Sequence, residues 1–170
     1  MKLLDKLRSI WGKRKQQTVE LTQEQLADMC YYETRVWPTP PTDLAAGTRV
    51  WVLGKGRVPA NGVVAKLRKV YSGRPYWVVR YGENLNHSVI VHPGEPAFYT
   101  REDLLLWYIG EAWRNIARLY GNLQQAVGDI QTVQEYTNNR VLRCKSEIKF
   151  LENQFVMQSP DEVNWNQEAH

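Results

Sequence analysis

The residues of this 170-residue chain that could do chemistry are three histidines, two cysteines and a set of tryptophans and tyrosines. His87 and His92 lie in or beside one extended run, and His170 is remote from both. Zinc needs three or four ligands converging on one point. No third ligand stands near the pair, so no metal site is expected. Cys30 and Cys144 have neither metal-ligand spacing nor the density of a disulfide framework. The run "GKGRVPANG", from Gly54 to Gly62, lacks the lysine-hydroxyl ending of a phosphate-binding loop. No nucleophile elbow occurs, and the acidic residues fall mostly on helical stretches, where they solvate or cap. Neither an enzyme nor a cofactor is expected. The aromatics offer a different chemistry. Trp51, Tyr71, Trp77 and Tyr81 could wall a cage around a cation, or they could cover a core or an interface.

Elements must position these residues, and composition bounds what those elements are. Apolar residues make up 43% and charged residues 24%, enough to bury a core and too few charges for wholesale disorder. Seven tryptophans and nine tyrosines against three phenylalanines favour half-buried contact surfaces. The net charge of +4 gathers at the start, where Lys2, Lys6, Arg8, Lys13, Arg14 and Lys15 face Asp5 alone. That is a local basic arm, not a global nucleic-acid field. Asp5 and Lys6 interrupt any signal-peptide-like apolar run, and no stretch is long and apolar enough to span a membrane. An intracellular protein, or one carried in a virus particle, is expected.

Residues 1–36 read as two helices. Leu3, Leu4, Leu7, Ile10 and Trp11 keep helical spacing opposite the basic face, giving an amphipathic helix that could touch a membrane, nucleic acid or a partner. A second, short packing helix over Leu21–Tyr32 opens with Thr22 and Gln25 as a capping box. Its apolar stripe is Leu26, Met29 and Cys30, with Cys30 expected to be buried. "WPTPPT" then makes residues 37–46 a semi-rigid linker.

Residues 47–99 hold four strand-like runs, "TRVWVL", "GVVAKLRKV", "YWVVRYG" and "HSVIVH", separated by turn signals. In the first, Val50 and Val52 face one way and Arg49, Trp51 and Leu53 the other. In the second, Val63, Ala65 and Leu67 oppose Lys66 and Arg68. Short antiparallel strands leave unpaired edges unless the sheet curls on itself, so a small barrel is expected. These runs, followed by "YTREDLLL", resemble a Src-homology-3-like barrel of the Tudor or KOW kind. The resemblance implies a module that binds methylated side chains, nucleic acid or peptides, or that only builds protein contacts. Glu83 and Asn84 would be the polar members of a Tudor-type cage. Lys66, Arg68, Lys69, Arg74 and Arg80 would be the phosphate contacts of a nucleic-acid binder.

Thr100 with Asp103 marks a helix start. From there a heptad register runs on. Its a positions are Trp113, Tyr120, Val127, Gln134, Val141, Ile148 and Phe155. Its d positions are Ile109, Ile116, Leu123, Ile130, Thr137, Cys144 and Leu151. Twelve of these fourteen are apolar or aromatic, which predicts one coiled-coil helix over 100–158 whose seam, from Ile109 to Phe155, would be roughly 70 Å long at 1.5 Å per residue. Isoleucine at d and a wide apolar stripe favour a homotrimer; the competing arrangement is an intramolecular hairpin turning at Tyr136–Arg140. Gly110, Gly121 and Gly128 interrupt this run, each costing roughly 1 kcal/mol against alanine, so packing must hold the helix together. A polar tail, 159–170, closes the chain.

The expected architecture is therefore α+β: N-terminal helices, a small antiparallel Src-homology-3-like barrel and a long coiled-coil helix. The expected function is a non-catalytic structural or adaptor protein. It would oligomerise and present its barrel to another protein of a larger assembly. The alternative is a nucleic-acid-binding module that uses the barrel face and the basic arm. The opening "MKLLDKLRSIWGKRK" also resembles the starts of tailed-phage structural proteins, which implies a virion component or assembly factor.

Overall fold

The computed structural model describes residues 19–69 and 73–156. The basic arm, Tyr71, the polar tail and the basic side chains of residues 66–69 lie outside what is described. The described residues form an α+β fold, a four-stranded antiparallel sheet with three α-helices. Helix α1 spans Gln23–Thr34, strands β1 Arg49–Leu53, β2 Pro59–Lys69, β3 Pro75–Tyr81 and β4 His87–Val91, and helices α2 Arg101–Gln124 and α3 Ile130–Val156. No described helix is long and apolar enough to cross a membrane.

The expected capping box starts α1: the Gln25 amide donates to Thr22 Oγ1 at 3.2 Å, and the Thr22 amide donates to Gln25 Oε1 at 3.0 Å. The predicted stripe on this helix is only partly right. Met29 packs on the helical core, but Leu26 is half exposed and Cys30 is exposed. Polar side chains hold α1 instead. Asp28 accepts from the Tyr120 hydroxyl at 3.2 Å, Lys145 lies 2.8 Å from Asp28, and Arg114 donates to the Tyr32 hydroxyl at 2.9 Å. Apolar spacing could not reveal a helix docked by its charges.

The segment after α1 is tied down at both ends. Trp37 packs on α2 and donates from Nε1 to the Tyr32 carbonyl at 3.1 Å, while Leu44 is buried in the sheet core. The strands then run in the order β1-β2-β3-β4, each antiparallel to the next. Alternation in β1 is as read: Val50 and Val52 enter one core with Val64, Trp77, Val79 and Val91. Trp51 enters another with Phe98 and Leu104, and Leu53 packs against it. In β2 the expected phase is wrong. Val64 is the buried residue and Ala65 is exposed, because a bulge between Val64 and Lys66 leaves Ala65 without an opposite number. An extra residue bends a strand and resets its faces, and this one lets an eleven-residue strand pair with both neighbours.

The sheet is open where a closed barrel was expected. Closure would require β4 to pair with β1. The outer edge of β1 is already taken: Trp51 and Phe98 exchange two backbone hydrogen bonds, at 2.6 and 3.0 Å. The outer edge of β4 pairs with no described strand.

The single helix expected over 100–158 is two helices. Thr100 starts α2, accepting from the Asp103 amide at 3.1 Å. Gly128 at φ +116° breaks the path, a backbone state that side chains disfavour. Asp129 then accepts from the Thr132 amide at 3.3 Å and from its hydroxyl at 2.7 Å, at the start of α3. These two hydrogen bonds hold the Asp129 carboxyl below its usual range. The chain folds back at 125–129, not at Tyr136–Arg140. The hairpin is antiparallel: Arg101, the first residue of α2, donates to the carbonyl of Gln154 near the end of α3. With about 1.5 Å per residue the two helices match in length, ~36 and ~40 Å.

Candidate functional site

The a and d residues fill the interior of this one chain. Ile109, Ile116, Tyr120, Leu123, Thr137, Val141, Ile148 and Leu151 are buried, and Trp113, Ile130 and Cys144 are half buried. Only Val127, Gln134 and Phe155 are exposed. The apolar stripe is wide because α2 must meet α1, α3 and the sheet at once. Most of the heptad side chains thus pack within the chain itself, while Val127, Tyr136, Leu142, Phe150 and Phe155 stay exposed.

The expected cage does not assemble. Trp51 and Trp77 are buried, at 8% and 3% exposure, in separate cores on opposite faces of the sheet. Tyr81 packs beside the Trp77 core and against the His87 ring, 5.5 Å between centroids. Tyr71 is outside the described residues. Glu83 and Asn84 occupy an exposed turn before β4. The histidines stand apart at the two ends of β4: His92 leans on Tyr76 and places Nδ1 3.3 Å from the Pro75 carbonyl. Arg74 and Arg80 are exposed on and beside β3. Among the described residues no group of three or more His, Cys, Asp or Glu could hold a metal ion. Burial pushes the Cys144 thiol up, so it is a poor nucleophile at neutral pH.

A concave feature lies between the two outer strands. A groove of about 350 Å³ runs between Val52 and Leu53 of β1, Val89, Ile90 and Val91 of β4, Glu95 and Pro96 of the following turn, and Trp107 and Tyr108 of α2. Every element positions one wall. The bridge to Phe98 fixes β1 beside α2. Glu95 accepts from the His92 amide at 2.9 Å, which folds the turn over the groove's end. Trp107 and Tyr108 meet edge to face, 4.9 Å apart and 87° between planes, and brace each other as a rigid wall. Ile90 is 57% exposed although it lines the groove.

Arg57 pairs with Glu147 of α3, and both lie close enough to Tyr108, with Glu95, to bear on its phenol. Burial raises that phenol above its ordinary value, opposed by Arg57 and reinforced by the two carboxylates. Arg57 itself sits at φ +62°, a left-handed state reached after Gly56 at φ +76°. The turn "GKGR" thus spends backbone strain to place a guanidinium against α3.

The chain matches no family model, no curated protein and no solved structure. The groove must speak through its own chemistry. Sequence reading missed it because its nine residues come from four separate elements. The signal that was present is the uncharged, proline-free run "HSVIV" of β4, since exposed edge strands ordinarily carry a charge or a proline.

The polar contacts that dock α1 imply a pH dependence. Burial drives the Tyr120 hydroxyl far above 10.0, helped by the charge of Asp28 and the hydrogen bond to it. Burial alone would lower Lys145, but hydrogen bonds and attraction to Asp28 and Glu24 outweigh it and raise the ammonium above 10.5. Tyr108 is raised as well. Each folded-state value exceeds its unfolded value, so each contribution is full below about pH 10 and is lost as pH rises through the folded value. Thermal melts followed by circular dichroism should hold one midpoint from neutrality to about pH 9 and fall from about pH 10 upward. Tyr120→Phe should remove part of that fall; an unchanged alkaline profile would refute the assignment.

Proposed function

We propose that the chain is a non-catalytic adaptor that holds an extended segment of a protein in the groove between β1, β4 and α2. The observation that carries this reading is the coincidence of an apolar groove with an uncharged strand edge that pairs with no described strand. Strand addition takes its affinity from main-chain hydrogen bonds and its selectivity from pockets for alternate side chains. β4 offers the first, and the space between Ile90 and the Trp107–Tyr108 wall offers the second. The rim favours polypeptide over phosphate. Arg57 beside it is paired with Glu147, and Glu95 adds a second carboxylate.

The test is selection of extended peptides from a random displayed library on the purified full chain. Selected sequences should carry apolar residues at alternate positions and should lose binding to the Ile90→Glu protein, by about tenfold or more as one buried apolar anchor is removed. Because Ile90 is exposed, the substitution should leave the melting temperature unchanged. Failure to select any peptide would remove this reading. Binding of single-stranded or duplex DNA in about 50 mM salt with release near 200 mM would replace it with nucleic-acid binding through the basic arm.

A further inference from the structure

We propose that the groove has an occupant in the same chain: the segment that follows α3, with Trp165 as its anchor. This rests on the reading of the groove as a peptide site and adds how that site is regulated. Arg101 binds the carbonyl of Gln154, so the last turn of α3 lies against the first turn of α2. Trp107 and Tyr108 are two turns further along α2, about 10 Å away at 1.5 Å per residue. From Val156 to Trp165 the chain can extend by up to about 30 Å. The groove is within reach without any rearrangement of the hairpin.

Chemistry narrows the choice. The following segment reads "MQSPDEVNWNQEAH". Val163 and Trp165 are two residues apart, so in an extended backbone both point to one face. A strand laid along β4 would present both to the groove together. Asp161 and Glu162 precede Trp165, on the side from which the chain arrives. The apolar pair meets the apolar groove. A partner segment would have to displace Trp165, which makes the tail an intramolecular competitor.

The test uses full-length protein and hydrogen exchange of β4, His87–Val91. In Trp165→Ala the β4 amides that do not pair with β3 should exchange about tenfold faster or more, as protection by a docked strand is lost. Helicity and melting of the body should stay unchanged. Displayed peptides selected as above should bind Trp165→Ala about tenfold more tightly, because the competing state is gone. Unchanged exchange in β4 overturns the proposal. So does protection that grows with protein concentration, which assigns the occupant to a second copy, or acceleration by Trp11→Ala in place of Trp165→Ala, which assigns it to the basic arm. If peptides bind wild type and Trp165→Ala equally, the cis occupant is excluded and the adaptor reading stands. If no peptide binds either protein, both fall.

Discussion

Ile116→Asp should abolish the cooperative thermal transition of this protein. Ile116 is fully buried, at 0% exposure, among Ile109, Ala112, Tyr120, Val141 and Ile148. An aspartate there has no cationic partner within the cluster, and an unpaired buried charge costs several kcal/mol. The loss is expected to be at least about 4 kcal/mol, comparable with the whole stability of many domains, ~5–15 kcal/mol. The milder Ile116→Ala should fold and lose about 2–5 kcal/mol, transfer and cavity terms together. Both readings of the heptad run predict damage, so the discriminating measurement is concentration dependence. A hairpin closed within one chain melts at a temperature independent of protein concentration, whereas an obligate oligomer does not. Light scattering on the wild type and on Ile116→Ala should give the 19.9 kDa of one chain. A wild-type mass near about 60 kDa, three times that value, would restore the trimer and move these side chains to an interface.

The fate of the heptad run shows what was legible. Buried positions continue in phase from Ile109 to Leu123 on α2 and from Thr137 to Leu151 on α3, because both helices face one core. From Leu123 to Thr137 is a separation of two heptads, so the repeat passes through the break without slipping. Periodicity reports which face is buried and says nothing of whether the chain reverses between two helices. The reversal was written locally, as Gly128 followed by Asp129 and Thr132, a helix stop and a helix start side by side. The strands were legible as runs and, in β1, as faces. The bulge at Ala65 was not, because an extra residue changes phase without changing composition. Closure of the barrel was misjudged for a longer-range reason. Whether β4 meets β1 depends on Phe98 and α2, which follow both strands in sequence. The groove between them shares that dependence, so no single stretch of sequence announces it.

Gly110→Ala and Gly121→Ala, the same substitution on the same helix, should have opposite signs. By propensity alone each should stabilise α2 by about 1 kcal/mol. At Gly121 an added Cβ meets nothing within 4 Å, so the full gain is expected there. At Gly110 it would stand 2.7 Å from Cε3, 2.8 Å from Cδ2 and 3.1 Å from Cγ of Trp37. The indole has little room to retreat. Its Nε1 is held by the Tyr32 carbonyl, Tyr32 stacks on it at 6.2 Å, and Arg35 lies over it at 5.3 Å. Overpacking of this kind costs about 1–3 kcal/mol, enough to reverse the propensity gain. Gly110→Leu, which must expel the ring, should lose the upper end of that range or more and loosen the 37–46 segment with it. Denaturant unfolding checks the signs, and a cycle checks the cause. In a Trp37→Ala background, Gly110→Ala should turn stabilising by about 1 kcal/mol, since only helix propensity is then left to act. If Gly110→Ala destabilises equally with and without Trp37, the glycine serves something other than the indole, and the account of how the linker is pinned to α2 fails.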